Sequence, residues 1–414
     1  MNDLPELPMP RACPYQPPPG YATLREQGPM ARVRLRDGSA VWAVTGYSCA
    51  RALLSDPRIS SDALHPTHPE LALPPGVPRH DPELRRQSLT FVEMDDPEHA
   101  EHRRMVIPYF SVRRVRALRP YLRAVTEDLV AKIVQKGPPA DLVTSLAIPL
   151  PVLALCEVFG IPAPDRDAFR AWLTWPAGRA ANAPSPMLAI DELITRLLHL
   201  KTAEPADDLL SGLAARVKAG ELSERQALET CSMLIMAGLE TTANTLALAV
   251  LTLLAHPAQL ATLRAESETE HIRGPGPAHE PGTMAGAVDE LLRYLTVADT
   301  IPRVALADVP VNGQTISAGD GVIVLLAAAN RDAAAFPDPD RLDLLRPPGR
   351  HLAFSHGVHQ CLGHALARAQ VEIALTVLLT RLPEPRLAVP EDRLPIKPAL
   401  SLQGVTSLPI TWHP

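Results

Sequence analysis

The chain has 414 residues, 46% hydrophobic and 21% charged, an ordinary balance for a globular protein with one large core or two. With 40 basic against 46 acidic residues the net charge is only −6, so composition gives no reason to expect a nucleic-acid partner. The five cysteines (Cys13, Cys49, Cys156, Cys231 and Cys361) are scattered and odd in number, and the proline-rich start lacks the basic and apolar runs of a signal peptide; both features point to a reducing cytoplasm and no export.

In chain order, Val33, Leu35, Val41 and Val44 flank Asp37-Gly38, a two-residue turn signal that predicts a β-hairpin. From about Asp56 to Thr90, prolines and three histidines without periodicity predict a long irregular loop of the kind used in binding. Helical spacing runs from near Pro97 to Pro257, broken at Gly137-Pro138-Pro139, Gly160 to Pro164, Gly178 to Pro186 and Pro205. Within it, Cys231 to Ala255 is apolar and long enough for a bilayer, but Glu240 and Asn244 would be costly in lipid. Ser223 heads this run in Ser-Glu-Arg-Gln as an N-cap would, so a helix buried in protein is predicted rather than a membrane span.

Ser267 to Thr283, charged and centred on Gly274-Pro275-Gly276-Pro277, reads as an exposed insertion without chemistry. A helix around Glu290 follows, then short strands at Val309 to Val311 and Val322 to Leu326, punctuated by Gly313, Gly319 and Gly321. A loop spans Asn330 to Gly363, a patterned helix Leu362 to Leu382, and strand-and-turn structure Leu387 to Trp412. No internal repeat is present, which excludes a solenoid.

The most informative stretch is Phe354-Ser355-His356-Gly357-Val358-His359-Gln360-Cys361-Leu362-Gly363, ending where the last long helix begins. Positive potential at a helix N-terminus stabilises a thiolate, which makes Cys361 a candidate iron ligand, and Gly357 and Gly363 would let backbone approach a flat cofactor. Alone, the cysteine reads equally as a small buried hydrophobe. A zinc reading of His356, His359, Cys361 and His364 lacks the second pair of donors that a structural site uses.

This loop resembles the haem-binding signature of the cytochrome P450 family, on Phe354, Gly357, a basic residue at His359, Cys361 and Gly363. It departs at Ser355, where relatives commonly have glycine, and at His359, where many have arginine. Three more stretches support the resemblance. Ala237-Gly238-Leu239-Glu240-Thr241-Thr242 is similar to the oxygen-activating segment: the small pair admits a flat group, while an acid and a hydroxyl can relay protons. Glu290-Leu291-Leu292-Arg293 resembles the structural Glu-x-x-Arg, to which the family adds a basic residue at a position matched by Arg341. Asp96 to Arg104 resembles the propionate-binding helix start, with His99 and Arg103 one turn apart; Arg303 and His351 match further propionate positions. Taken singly, each would pass for a buried polar pair or a surface charge.

The resemblance covers nearly the whole chain and implies one mainly helical domain over residues 1–414 with a smaller β region, and haem b between the helix through Thr241 and the loop bearing Cys361. It implies a monooxygenase that places one oxygen atom from O2 in a medium or large apolar substrate, by hydroxylation or epoxidation, in secondary-metabolite tailoring or xenobiotic oxidation. Thiolate ligation by Cys361 would favour O–O cleavage, with Thr241 as proton donor and Glu240 as its relay partner. Electrons would come from a ferredoxin and its reductase, since neither a Gly-x-Gly-x-x-Gly helix start nor cluster-spaced cysteines occur. A cytoplasmic monomer is expected. By position, Phe91, Val92, Leu234, Ala237, Val297 and Ile301 would line the substrate pocket, and the proline-broken stretch near Gly178 to Pro186 falls at the substrate lid. Two alternatives stay open: oxidative coupling or rearrangement without oxygen insertion, and a haem protein that binds a ligand without turnover.

Overall fold

The computed structural model describes residues 4–71, 89–173, 186–273, 283–347, 349–397 and 402–413. Helices dominate, in chain order α1 (Gly20–Glu26), α2 (Tyr47–Leu54), α3 (Glu98–Phe110), α4 (Val112–Lys136), α5 (Pro149–Phe159), α6 (Ala163–Leu173), α7 (Pro186–Ala203), α8 (Leu209–Lys218), α9 (Glu224–Ala255), α10 (Pro257–Arg273), α11 (Met284–Leu295), α12 (Leu326–Ala329) and α13 (His364–Arg381). The strands are β1 (Glu6–Leu7), β2 (Met30–Leu35), β3 (Ala40–Val44), β4 (Ile59–Ser60), β5 (Ala140–Asp141), β6 (Thr300–Ala305), β7 (Val309–Val311), β8 (Gln314–Ile316), β9 (Gly321–Leu325), β10 (Arg386–Leu387) and β11 (Pro409–Thr411).

The predicted hairpin is β2 and β3, antiparallel from Met30 against Val44 to Arg34 against Ala40. Gly38, at φ +89, takes the left-handed position that the turn requires. This hairpin belongs to a six-stranded sheet ordered β1-β2-β3-β9-β6-β4, in which β3 pairs β9 in parallel and β9 pairs β6 antiparallel. Smaller sheets join β10-β11-β5 and β7-β8.

Most of the apolar core lies among the helices, where Leu146, Leu150, Phe159, Leu248, Leu291 and Leu375 are almost wholly buried. At its centre runs α9, the long apolar helix that the sequence predicts. Its start is a capping box: Gln226 N–H donates to Ser223 Oγ at 3.1 Å and Ser223 N–H to Gln226 Oε1 at 2.9 Å, so two otherwise unpaired donors are satisfied. It is the one described helix long and apolar enough to cross a membrane, yet 67% of its most apolar window is buried inside the protein.

One prediction changes. Residues from Ser267 continue α10 as far as Arg273, because no helix breaker precedes Gly274 and Glu266, Glu268 and Glu270 are good helix formers. Residues 274–282 lie outside the described residues, as do 72–88 of the long irregular loop and 178–185 of the supposed lid.

Candidate active site

The last turn of the Cys361 loop and the middle of α9 face each other across a cavity of about 950 Å³. Cys361 lies two residues before Gly363, the N-cap of α13, and its own N–H donates to the Phe354 carbonyl at 2.9 Å. Burial pushes the Cys361 thiol up, opposed by a hydrogen bond from the Gly363 N–H and by the Arg103 and Arg368 guanidinium groups. In the protein alone burial outweighs these opposing groups.

On the opposite wall, Ala237, Gly238 and Thr241 line the cavity. Gly238 has a packing reason as well: a Cβ there would sit 3.3 Å from Leu155, so glycine brings α9 close to α5. Thr241 Oγ1 donates to the Ala237 carbonyl at 2.6 Å, holding its hydroxyl on the helix. Glu240 does not join it. Its carboxylate instead accepts from Lys397 Nζ at 2.7 Å, a partner that sequence reading did not find because 157 positions separate the two residues. The pocket residues assigned by position, Phe91, Val92, Leu234, Ala237, Val297 and Ile301, all line the cavity.

Basic side chains gather at one end. Arg103, Arg303 and His359 line the cavity, and the His99 ring stacks on His359 with centroids 4.1 Å apart. Burial, then the neighbouring Arg303, His99 and Arg103, pushes His359 down to about 3, so the ring is neutral. Arg303 is 8% exposed, and among the described residues its one hydrogen bond goes to the adjacent Pro302 carbonyl at 2.7 Å. Burial pushes it down to about 10, with Asp95 opposing. His99 donates through Nδ1–H to the Asp96 carboxylate at 2.9 Å, while its buried Nε2 has no partner.

Three assignments need correction. Arg341 does not complete the Glu290–Arg293 pair: its guanidinium is 66% exposed beside Asp343, and only its carbonyl reaches Arg293. Arg346 takes that place, its Nε 3.1 Å from both Glu290 oxygens, while Arg293 Nε and Nη2 donate to them at 2.7 and 2.8 Å. Both arginines lie in the same loop, and spacing could not say which one turns inward. His351 does not reach the cavity wall; it is buried beneath α11, 3.6 Å from Asp289, with Arg368 also on that carboxylate at 2.6 Å. Finally, Gly357 answers to α2 and not to a cofactor: at φ +75, its Cβ would lie 2.2 Å from the Leu54 carbonyl. Gly363 lines the cavity, and a Cβ there would meet nothing within 4 Å. Phe354 also lines the cavity, under the Arg368 guanidinium at 4.6 Å.

The family model for cytochrome P450 matches residues 191–395. Pentalenic acid synthase of Streptomyces avermitilis is 42% identical over 98% of this chain and 97% of its own. The vitamin D3 dihydroxylase of Streptomyces griseolus is 40% identical over 99% and 98%. Among solved structures, cytochrome P450 MoxA from Nonomuraea recticatena superposes with a TM-score of 0.89 at 39% identity, covering 99% of this chain and 98% of that one.

The chain belongs to the cytochrome P450 family. As a P450 it is a haem-dependent monooxygenase. The site suits that cofactor on its own terms. The under-bonded Arg303 guanidinium is a donor that a propionate would satisfy, the buried His99 Nε2 is a polar atom left without a partner beside it, and the open backbone at Gly363 leaves room for a flat ring. Ser355 marks the departure from the P450 pattern: it adopts φ +60, a left-handed conformation that costs glycine little and serine more, and its buried Oγ has no partner.

Proposed function

We propose that Cys361 is the thiolate ligand of haem b, that Arg103, Arg303, His99 and His359 hold the propionates, and that Thr241 is the proton donor to oxygen with Glu240 as its relay. The observation that carries this reading is a cysteine on the wall of a largely apolar cavity, opposite a threonine on the central helix, with the under-bonded guanidinium of Arg303 at its edge. Haem, when bound, supplies dioxygen activation, one atom entering a C–H or C=C bond of the substrate and the other leaving as water. The residues of this chain exclude water with apolar walls, orient the substrate, and deliver a proton from the Thr241 hydroxyl. Glu290, Arg293 and Arg346 hold the Cys361 loop in place.

The substrate, in this reading, is a rigid apolar molecule of polycyclic terpenoid, secosteroid or macrolide size. The relatives' names point to these classes, and a largely apolar cavity of about 950 Å³ is of the size used for cofactor and small-molecule sites. A ferredoxin with its reductase supplies electrons to a cytoplasmic, monomeric, single-domain enzyme.

The test is the absorption spectrum of reduced protein under carbon monoxide. A strongly red-shifted Soret band is expected in the wild type and not in Cys361→Ser; a band surviving in the variant would remove Cys361 from the ligand position. Turnover of a terpenoid and macrolide panel under labelled oxygen then separates insertion, which adds the mass of one oxygen atom, from coupling or rearrangement, which does not.

A further inference from the structure

Near its C-terminus two described stretches, residues 395–397 and 404–406, pair as the arms of a hairpin beside α9. Ile396 pairs with Val405 in an isolated bridge, and Lys397 N–H donates to the Gly404 carbonyl at 3.0 Å. Both residues of that second pair also touch α9. Lys397 Nζ lies 2.7 Å from Glu240 Oε1, and a Cβ on Gly404 would fall 2.6 Å from the Asn244 side chain, so this glycine is seated directly on Asn244. Glu240 and Asn244 are one helical turn apart, so the hairpin grips one face of α9 at two points that bracket Thr241. A third contact reaches the cavity wall, where Gln403 N–H donates to the Val297 carbonyl at 3.3 Å.

We infer that Lys397 is a positioning residue for proton delivery: by pairing with Glu240, it holds that carboxylate in one orientation beside the turn of α9 that carries Thr241. This rests on the reading of Glu240 and Thr241 as the relay pair. The pair is partly shielded, with Lys397 19% and Glu240 38% exposed, so its geometry is more constrained than that of a fully solvated one. Removing the cation leaves the carboxylate free to turn toward solvent, and the hairpin loses one of its two holds on α9.

Two readouts on the haem-loaded protein test this. Hydrogen exchange across 395–406 should rise about two- to fivefold in Lys397→Met, the upper part of the range for a partly exposed ion pair, and stay near wild type in Lys397→Arg. Peroxide released per reductant oxidised, with 7-ethoxycoumarin as probe, should rise by a similar factor in Lys397→Met and return in Lys397→Arg. In a Glu240→Gln background, Lys397→Met should add nothing to either. Unchanged exchange and peroxide in Lys397→Met, or additive effects in the double variant, would overturn the role of Lys397. Wild-type coupling in Glu240→Gln would instead sink the relay reading itself. The carbon monoxide spectrum stays that of the wild type throughout, which keeps both outcomes separate from loss of haem.

Discussion

Two clusters of buried charge flank the Cys361 loop, and they obey opposite rules. Around Glu290 the carboxylate takes donors from Arg293, from Arg346 and from the Asp343 N–H at 3.0 Å, while Arg293 satisfies the Asn330 and Pro339 carbonyls at 2.8 and 2.9 Å. Around His99 and Arg303 buried polar atoms are left without partners. A closed network stabilises the fold only while it is complete, because taking away one member strands a buried charge. An open one costs stability in the protein alone and returns it when an anion arrives. The same residue types therefore read as structural in one place and as a binding site in the other, and the difference lies in the unmatched atoms.

The sharpest way to break this comparison is Arg346→Ala, which should cost about 3–5 kcal/mol of unfolding free energy in a denaturant titration. Arg341→Ala serves as its control. If Arg341→Ala proved as harmful as Arg346→Ala, the assignment of the inward arginine would be wrong.

Arg303→Ala should behave in the reverse sense. We expect little change in apoprotein stability but a loss of haem affinity of about 1.5–3 kcal/mol, the range for a hydrogen bond to a charged group, measured by transfer of haem to an acceptor protein. Equal destabilisation of both forms would place Arg303 with the closed cluster.

A pH titration sharpens the comparison on the α11 side. Burial pushes the Asp289 carboxyl up, but the hydrogen bond to His351 and the Arg368 guanidinium outweigh it and hold the carboxyl below the ordinary carboxylate range. Such a group contributes stability that is fully present above its unfolded value of 3.8 and is lost as pH falls through the lower folded value. The stability gap between wild type and Asp289→Asn should therefore be constant near neutrality and shrink below about pH 4. A gap that widened on acidification would contradict the sign of the shift.

Two smaller effects complete the series. Ser355→Gly should raise stability by about 0.5–1 kcal/mol in thermal unfolding, since it relieves a left-handed serine and removes a buried hydroxyl without a partner. Arg341→Ala, at an exposed pair, should change stability by about 0–1 kcal/mol.

Much of the site was legible in the sequence because it is local. The Phe354 to Gly363 loop, the Ala237 to Thr242 segment and the Ser223 cap each declare themselves within ten residues, where backbone geometry and side-chain chemistry are joined by covalent spacing. The hairpin at Asp37-Gly38 is legible for the same reason. The pocket residues could be placed by resemblance alone, and all six lie on the cavity wall.

What only the tertiary structure decided is which distant partners meet. Arg346 rather than Arg341 turns toward Glu290 because the loop after Pro337 folds back on α11, and two arginines five positions apart are equivalent until that path is known. Lys397 meets Glu240 across 157 residues for the same reason, and Gly357 is required by a carbonyl on α2 that no motif mentions. The chain by itself determined its helices, turns and the chemistry of its motifs, all set by interactions within a few residues. Long-range pairing of charges depended on packing, because an arginine or lysine side chain reaches several ångströms in many directions and only a formed core selects one.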